Sequence, residues 1–294
     1  MAFWQLTVPA SPDCSDGLTN FLWEQGALGV VEEEAPGMPP RLRAFFAESL
    51  SASGLLAAVQ AYQASLRALG FTVDSRGTEV TPLRDEAWAS AWQQSFPPRE
   101  IGRRLLVLPP WHLPPPGAEE AGRLTVVIEP GRAFGTGHHG TTEGCLVLLE
   151  EAIEASPGGA ALDIGTGTGI LAIAALKLGA PRVLAIDVDP DAVAAAQVNA
   201  GRNGSGSLEV RLAEPREVGE QFPLVLANLL SHTHLALASQ YARLVAPGGF
   251  LILGGMLQDE DDRVSRTLAG AGFTPRSRLA LDGWASLRLQ ASRP

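Results

Sequence analysis

The residues of this chain with the clearest chemical meaning are three glycines at alternate positions, Gly165, Gly167 and Gly169. They follow a short apolar segment, 161–164, and precede a longer one, 170–178, which predicts a strand, a turn and a helix. Glycine lacks a Cβ, so the backbone can approach a ligand closely, and the helix offers free N–H groups and the positive end of its dipole. This arrangement predicts a nucleotide site. Dinucleotide-binding folds have G-x-G-x-x-G, and the earlier third glycine here disfavours a nicotinamide oxidoreductase.

Two acidic residues, Asp187 and Asp189, end a second apolar segment, 183–186, about twenty residues after the glycines. In doubly wound folds an acid at this spacing accepts hydrogen bonds from the ribose hydroxyls of a bound nucleoside. The alternative is that both aspartates cap the next helix, for which Pro190 suits the first turn. We predict that Asp187 binds the ribose and that Asp189 caps the helix.

A second glycine-rich segment, 129–142, precedes an apolar helix and contains hydroxyl groups, Phe134 and the adjacent histidines His138 and His139. Adjacent side chains point to different sides, and no cysteine or further histidine lies at metal-ligand spacing, so no metal site is predicted. The segment is predicted to fold over a polar small molecule.

From Gly158 onward the predicted strands and helices alternate, as in α/β folds with a parallel sheet between helical layers. The strand predicted at 222–227 is continuously apolar, as expected for a strand covered on both faces. Besides the segments above, strands are predicted at 208–212, 222–227, 250–253 and 284–290, and helices at 191–202 and 259–271.

Residues 1–80 predict the order β-α-β-β-α-β, which is the ferredoxin-like arrangement. This region contains no histidine and no cluster of polar residues, so recognition suits it better than catalysis. Residues 81–98 are predicted to form a helical linker in which Trp88 and Trp92 share one face. The elements predicted before this linker are strands at 3–8, 28–32, 41–46 and 71–74 and helices at 16–25 and 50–69.

Composition sets broad limits on the function. The chain has 294 residues, 46% of them hydrophobic, which is enough for a large core and two domains. A net charge of −10 argues against a large phosphate-binding face and is compatible with a basic protein partner. The sequence shows no membrane-spanning run and no cationic start of a signal peptide, so a cytoplasmic location is expected. Cys14 and Cys145 lie far apart and are expected to be reduced thiols.

The glycine spacing in 163–169 resembles the first motif of the S-adenosylmethionine (SAM)-dependent methyltransferases. Three further segments resemble those of one bacterial family within this class, the enzymes that methylate large-subunit ribosomal protein eleven. They are the loop 129–142, the acidic strand end 185–190 and the strand end 225–229.

This resemblance covers 85–294 by its motifs and 1–80 mainly by architecture. It implies a seven-stranded, doubly wound (Rossmann-like) methyltransferase domain over 99–294, preceded by the linker and a substrate-recognition domain. It implies SAM as cofactor, and ribosomal protein eleven as a substrate methylated on lysine side chains, its N-terminal α-amine or both, without a direct need for nucleic acid, membrane or metal. The predicted cofactor-binding residues are Phe134, His139, Thr142, Gly165, Gly167, Asp187 and Asn228.

Asn228 is the candidate catalytic residue. Methyltransferases acting on glutamine amides or on adenine typically have Asn-Pro-Pro-Tyr at this strand end, where the aromatic ring packs on a planar group, whereas here the segment 228–231 reads Asn-Leu-Leu-Ser. An aliphatic amine needs no stacking partner, so lysine or α-amine chemistry is favoured. The side-chain oxygen of Asn228 is predicted to accept a hydrogen bond from the amine. The alternative is that it only holds the turn after the strand.

The sequence offers alternatives for the proton acceptor and for the function. His138, His139, His232 and His234 are possible proton acceptors, and the sequence selects none of them. The alternative functions are a SAM-dependent methyltransferase for RNA or a small amine, and a SAM-binding module without catalytic activity.

Overall fold

A computed structural model gives the fold of the chain in two compact units, Met1–Pro97 and Pro98–Pro294. The predicted linker helix with Trp88 and Trp92 lies outside the residues that the structure describes. These are all residues except 1, 12–13, 34–39, 75, 85–92, 94–95, 119, 132, 157 and 294.

In its described residues, the first unit is a four-stranded antiparallel sheet with two helices. The strand order is β2-β3-β1-β4, so β1 has a neighbour on each side. Apolar side chains of the sheet and of both helices form one core, which includes Leu6, Leu22 and Val59. The elements are β1 (Ala2–Pro9), α1 (Ser15–Glu24), β2 (Gly29–Glu33), β3 (Arg41–Ala47), α2 (Ala52–Ala68) and β4 (Glu79–Arg84).

The strand predicted at 71–74 is wrong, because the fourth strand of this sheet is Glu79–Arg84. Residues 71–74 form an irregular connection, and the Thr72 carbonyl accepts a hydrogen bond from Ser11 Oγ at 2.8 Å. Pro82 makes β4 difficult to predict from the sequence, because proline is depleted in strands. It is tolerated here because β4 lies at the edge of the sheet.

The second unit contains the predicted seven-stranded sheet, in the order β10-β9-β8-β11-β12-β14-β13. The first five strands are parallel, and β14 is antiparallel to both of its neighbours, so the sheet is mixed. Its strands are β8 (Ala161–Ile164), β9 (Val183–Asp187), β10 (Leu208–Leu212), β11 (Phe222–Asn228), β12 (Val245–Leu257), β13 (Phe273–Leu281) and β14 (Trp284–Ala291). A small sheet precedes it: β5 (Arg99–Ile101), β6 (Leu105–Leu108) and β7 (Leu124–Val127).

Five α-helices follow the small sheet in the residues that the structure describes. The helix predicted at 170–178 is confirmed to the residue, and Gly179 ends it in a left-handed conformation with φ 115°. No helix in the described part of the chain is long and apolar enough to cross a membrane. The helices are α3 (Gly140–Ala155), α4 (Ile170–Leu178), α5 (Pro190–Arg202), α6 (Ser231–Leu244) and α7 (Asp261–Gly270).

The sheet separates two apolar cores, as expected from the side-chain alternation of strands. In β11, Leu224 and Leu226 pack in a core that includes α3 and α4. Val225 and Ala227 point to the other side, where α6 and α7 complete a second core. Both faces of β11 are therefore buried, which explains its continuous apolar sequence.

The sequence gives no strand signal for β13. Its segment carries Pro275 and alternates exposed and partly buried residues at the edge of the sheet. An edge strand buries little apolar surface, so its apolar periodicity is weak.

Candidate active site

The predicted nucleotide site lies where the order of the parallel strands reverses. β8 has β9 on one side and β11 on the other, and all three strands run in the same direction. The carboxyl ends of these strands meet at one edge of the sheet. Gly165 follows the end of β8, Asp187 is the last residue of β9, and Asn228 is the last residue of β11. Ligands of doubly wound folds bind in the crevice at such a switch point.

The glycine loop after β8 is packed against the preceding loop. Gly165 and Gly167 have φ angles of 71° and 55°, which favour glycine. A Cβ at Gly167 would lie 2.3 Å from the carbonyl oxygen of Phe134, and one at Gly165 would lie 2.4 Å from Leu229 Cδ2. These glycines are therefore required by packing within the chain as well as by access for a ligand.

Asn199 and Thr168 join the two loops. The Thr168 hydroxyl donates to the Gly135 carbonyl at 2.6 Å, and the Thr168 N–H donates to the Phe134 carbonyl at 2.9 Å. The amide group of Asn199 donates to the Thr168 carbonyl at 2.9 Å and accepts from the Glu129 N–H at 3.0 Å. Sequence reasoning missed Asn199, whose only signal was a polar residue in an alanine-rich helix.

Asp187 and Asp189 accept different hydrogen bonds in the structure. Asp189 is the N-cap of α5 and accepts a hydrogen bond from the Asp191 N–H at 2.9 Å, which confirms its capping role. Asp187 is half-buried and accepts from the N–H groups of Gly167 and Asp189, each at 3.0 Å. An ionised carboxylate has about four acceptor positions, so two remain on Asp187 for further donors.

Asn228 lies beside the first turn of α3. Its Nδ2 is 3.3 Å from Thr141 Oγ1 and 3.4 Å from Thr142 Oγ1, and both threonines are buried. Its Oδ1 is buried without a hydrogen-bond partner. Leaving a buried acceptor unsatisfied costs roughly 1–3 kcal/mol, so an unpaired acceptor at this edge suggests a group that engages during function.

Phe134 and His139 form an aromatic wall with Trp284. The His139 ring has edge contacts to Phe134 at 5.6 Å and to Trp284 at 4.8 Å between ring centroids. His139 also caps α3, because its Nδ1 accepts from the Thr141 N–H at 3.3 Å. Phe134 is 48% exposed, so one of its faces is open to a ligand. Sequence reasoning did not single out Trp284.

Two of the four candidate histidines, His139 and His234, have no free ring nitrogen to accept a proton in their neutral forms. In His139, Nδ1 accepts from a backbone N–H, so Nε2 carries the hydrogen. In His234, Nε2 is 2.8 Å from the Gly254 carbonyl and must donate, while Nδ1 is 2.9 Å from the Tyr241 hydroxyl. Burial lowers the pKa of His234 to about 4. His138 and His232 are left as possible proton acceptors.

Asp163 is a buried carboxyl group beneath the glycine loop. It accepts a hydrogen bond from Thr166 Oγ1 at 2.6 Å, and its other oxygen has no partner. Burial raises the pKa of Asp163 to about 7, against the opposing effect of the Thr166 hydrogen bond. In the sequence, Asp163 stands out only as part of the glycine motif.

The structure thus brings the predicted site residues to one edge of the sheet, and direct contacts join several of them. Asp187 bonds Gly167, Gly167 packs on Phe134, and Phe134 touches His139. These groups fit SAM: a carboxylate with spare acceptor positions suits ribose hydroxyls, and the uncapped start of α4 offers backbone N–H groups. No group of three or more His, Cys, Asp or Glu side chains in the described residues has metal-binding geometry.

The strand order, the glycine loop and the acidic end of β9 together define the class of this protein, a SAM-dependent methyltransferase. A sequence profile of the family described as ribosomal protein L11 methyltransferase (PrmA) matches residues 2–292. The chain belongs to this family, in which L11 is the large-subunit ribosomal protein eleven inferred from the motifs.

Individual relatives agree with the family assignment. The ribosomal protein L11 methyltransferase of Geobacter metallireducens is 40% identical over 292 residues, which are 95% of this chain and 94% of the relative. The corresponding protein of Azotobacter vinelandii is 36% identical, and the match covers 97% of this chain and 97% of the relative. A solved structure of ribosomal protein L11 methylase from Lactobacillus delbrueckii subsp. bulgaricus is 29% identical. It matches with a TM-score of 0.61 over 67% of this chain and 99% of that one.

Proposed function

We propose that this protein transfers methyl groups from SAM to amines of ribosomal protein L11, on lysine side chains, the N-terminal α-amine or both. The assignment of amines as the methyl acceptors rests on Asn228. It ends β11 at the ligand-binding edge with a buried, unpartnered acceptor oxygen, and no aromatic residue follows it to stack on a planar amide or base.

The cofactor is held by residues on both sides of the strand reversal. Asp187 accepts hydrogen bonds from the ribose, and Gly165 and Gly167 let the backbone approach the ligand. Phe134, His139 and Thr142 line the side formed by the preceding loop and α3. When bound, SAM supplies an electrophilic methyl group on a sulfonium, whose displacement needs no acid.

Asn228 orients the amine that receives the methyl group. Its oxygen is closed off from solvent in the structure, so it meets the amine only after the side-chain amide turns. The Thr142 hydroxyl tolerates this turn, since it can donate as well as accept, whereas the Thr141 hydroxyl already donates to His139 Nδ1 at 2.8 Å. Holding the two reactants in such a geometry can lower the barrier by roughly 7–11 kcal/mol.

The amine must be neutral before it attacks. A lysine amine has a pKa near ~10.4 in water, and burial in the site lowers the pKa because it disfavours the charged form. His139 and His234 do not take this proton, because their ring nitrogens are committed to the hydrogen bonds described above. The proton is released to water, either directly or through His138 or His232.

The N-terminal unit selects the protein substrate, and we infer a ferredoxin-like fold for it. The order β-α-β-β-α-β and the antiparallel sheet with β1 in its interior support this fold. The absence of histidine from residues 1–80 supports recognition rather than catalysis. We assign residues 81–98 as the linker, residues 99–294 as the methyltransferase domain, and the cytoplasm, where ribosomes are, as the location.

The test of the proposed chemistry is methyl transfer from labelled SAM to L11, with mass spectrometry to locate the methylated amines and bare RNA as the alternative substrate. Asn228→Ala is expected to lower turnover about 100-fold, equivalent to ~2.7 kcal/mol, with little change in the SAM dissociation constant. Asn203→Ala is the matched control, because Asn203 bonds the Val127 backbone and not the site. Weakened SAM binding with normal turnover in Asn228→Ala would reduce Asn228 to a cofactor contact.

The division of labour between the two units is tested by removing residues 1–97. The shortened protein is expected to bind SAM with normal affinity and to lose methylation of L11. Circular dichroism checks that it is folded. Methylation of L11 at the rate of the full chain would refute a recognition role for the N-terminal unit.

A further inference from the structure

A buried polar pair lies behind the end of β11, on the opposite side of the sheet from α3. His234 and Tyr241, seven positions apart on α6, are both 0% exposed within an otherwise apolar core. His234 Nε2 donates to the Gly254 carbonyl, which requires the Tyr241 hydroxyl to donate to Nδ1. The tyrosine hydroxyl thereby fixes which nitrogen of His234 carries the hydrogen.

Gly254 is the cross-strand partner of Asn228. The Gly254 carbonyl also accepts a hydrogen bond from the Leu229 N–H at 3.2 Å. The pairing of β12 with β14 shifts between Leu253 and Met256, so Gly254 lies in an irregular part of β12. His234 therefore adds a second donor to a carbonyl that already holds the turn after Asn228.

We propose that His234 is a positioning residue for methyl transfer, which holds the irregular segment of β12 and the turn after β11 so that Asn228 stays beside Thr141 and Thr142. This inference rests on the proposed role of Asn228. Its physical basis is that the Gly254 carbonyl is already satisfied by Leu229, so the His234 hydrogen bond is not needed to avoid an unpaired acceptor. What the second donor adds is a fixed direction for the carbonyl and for the strand that carries it.

A purely stabilising role predicts a different set of effects from a positioning role. Replacing a buried polar pair by apolar groups of similar shape is often nearly neutral for stability. A positioning role instead predicts a loss of turnover that exceeds what the loss of stability explains. It also predicts recovery when a side chain restores the Nε2–H donor.

The experiment compares His234→Asn with His234→Gln in the full-length enzyme. The glutamine amide nitrogen reaches the position of Nε2, whereas asparagine ends near Nδ1 and leaves the Gly254 carbonyl without this donor. His234→Asn is expected to lower turnover on the order of tenfold or more, with a SAM dissociation constant within about twofold of wild type. His234→Gln is expected to recover most of the turnover.

Val264→Ala is the stability control, since Val264 is buried in the same core on α7 and is 1% exposed. It is expected to lower the melting temperature without lowering turnover. Equal turnover in His234→Asn and Val264→Ala, or a His234→Gln variant as slow as His234→Asn, would overturn the proposal.

A double variant connects the effect to Asn228. If His234 acts through Asn228, His234→Asn should cause little further loss of turnover in an Asn228→Ala background. Full additivity would overturn the inference. Normal turnover in Asn228→Ala alone would overturn the orienting role of Asn228 and this inference with it. A slow Asn228→Ala beside a normal His234→Asn would overturn only the inference.

Discussion

Replacing Gly254 by alanine tests whether the position of Asn228 controls the reaction. A Cβ at Gly254 would lie 2.8 Å from Asn228 Oδ1, 2.5 Å from Cys145 Sγ and 3.2 Å from the Thr141 carbonyl oxygen. Ordinary contacts require about 3.5 Å or more, so the Asn228 oxygen must move by about 0.7 Å. The φ angle of Gly254 is not in the left-handed region, so the effect is steric rather than conformational.

The expected magnitudes follow from this overlap. Added volume in a packed core costs roughly 1–3 kcal/mol, and a displacement near 1 Å at a reacting group can cost about 100-fold in rate. We therefore expect Gly254→Ala to lower turnover roughly 10- to 100-fold. The melting temperature should fall by about 2–12 °C, at ~2–4 °C per kcal/mol for a domain of this size.

Single-turnover kinetics at saturating SAM, with thermal unfolding followed by circular dichroism, measure the two effects. Gly159→Ala is the matched control: its Cβ would lie 2.9 Å from Pro223 Cβ, at the opposite end of the sheet from the site. It should lower the melting temperature and leave turnover unchanged. Adding Cys145→Ala to Gly254→Ala removes the nearest clashing atom and should restore stability more than turnover. Wild-type turnover in Gly254→Ala would refute the reasoning, because it would separate the rate from the position of Asn228.

Three further predictions concern the glycine loop and the strand ends. Asp187→Ala should weaken SAM binding by about 1.5–3 kcal/mol in a calorimetric titration, because charged hydrogen bonds are lost, and an unchanged affinity would contradict a ribose contact. Gly167→Ala should lower both SAM affinity and melting temperature, because its Cβ meets the Phe134 carbonyl at 2.3 Å. Gly201→Ala, in helix α5 with open space around it, should leave SAM affinity unchanged and should not lower the melting temperature. The melting temperature of Asp163→Asn, compared with that of wild type, should increase as the pH rises from 4 to 8. The folded wild type holds its proton up to a pKa of about 7. The stability that this proton gives is present below the ordinary aspartate pKa of 3.8 and is lost as the pH rises through about 7, while asparagine does not titrate. If the melting temperatures of wild type and Asp163→Asn changed in parallel with pH, this prediction would be contradicted.

Local patterns predicted much of the methyltransferase unit because its strands are buried and its helices have clear ends. The helix Ile170–Leu178 and the strand Leu208–Leu212 have the predicted bounds. The capping role of Asp189 also followed from the residue types around Pro190. Such features depend on neighbours within a few positions, so they can be predicted from a single sequence.

Local sequence patterns did not predict two strands at the edges of the sheets. The strands Glu79–Arg84 and Phe273–Leu281 each carry a proline and lie at the edge of their sheets. Their stability comes from pairing with one neighbouring strand far away in sequence, and little of it comes from an apolar face. The apolar periodicity of the strand itself contains no information about that neighbour.

The residue types and spacing thus determined the class of ligand and the residues that end the strands at the site. Only the tertiary structure decided how these residues are held. The contact of Asn228 with Thr142 joins residues 86 positions apart, and the His234 bond to Gly254 joins α6 to β12. Whether a histidine is a base or a buried hydrogen-bond donor depends on the groups facing both its nitrogens. Those groups come from distant segments, and only the folded chain brings them together.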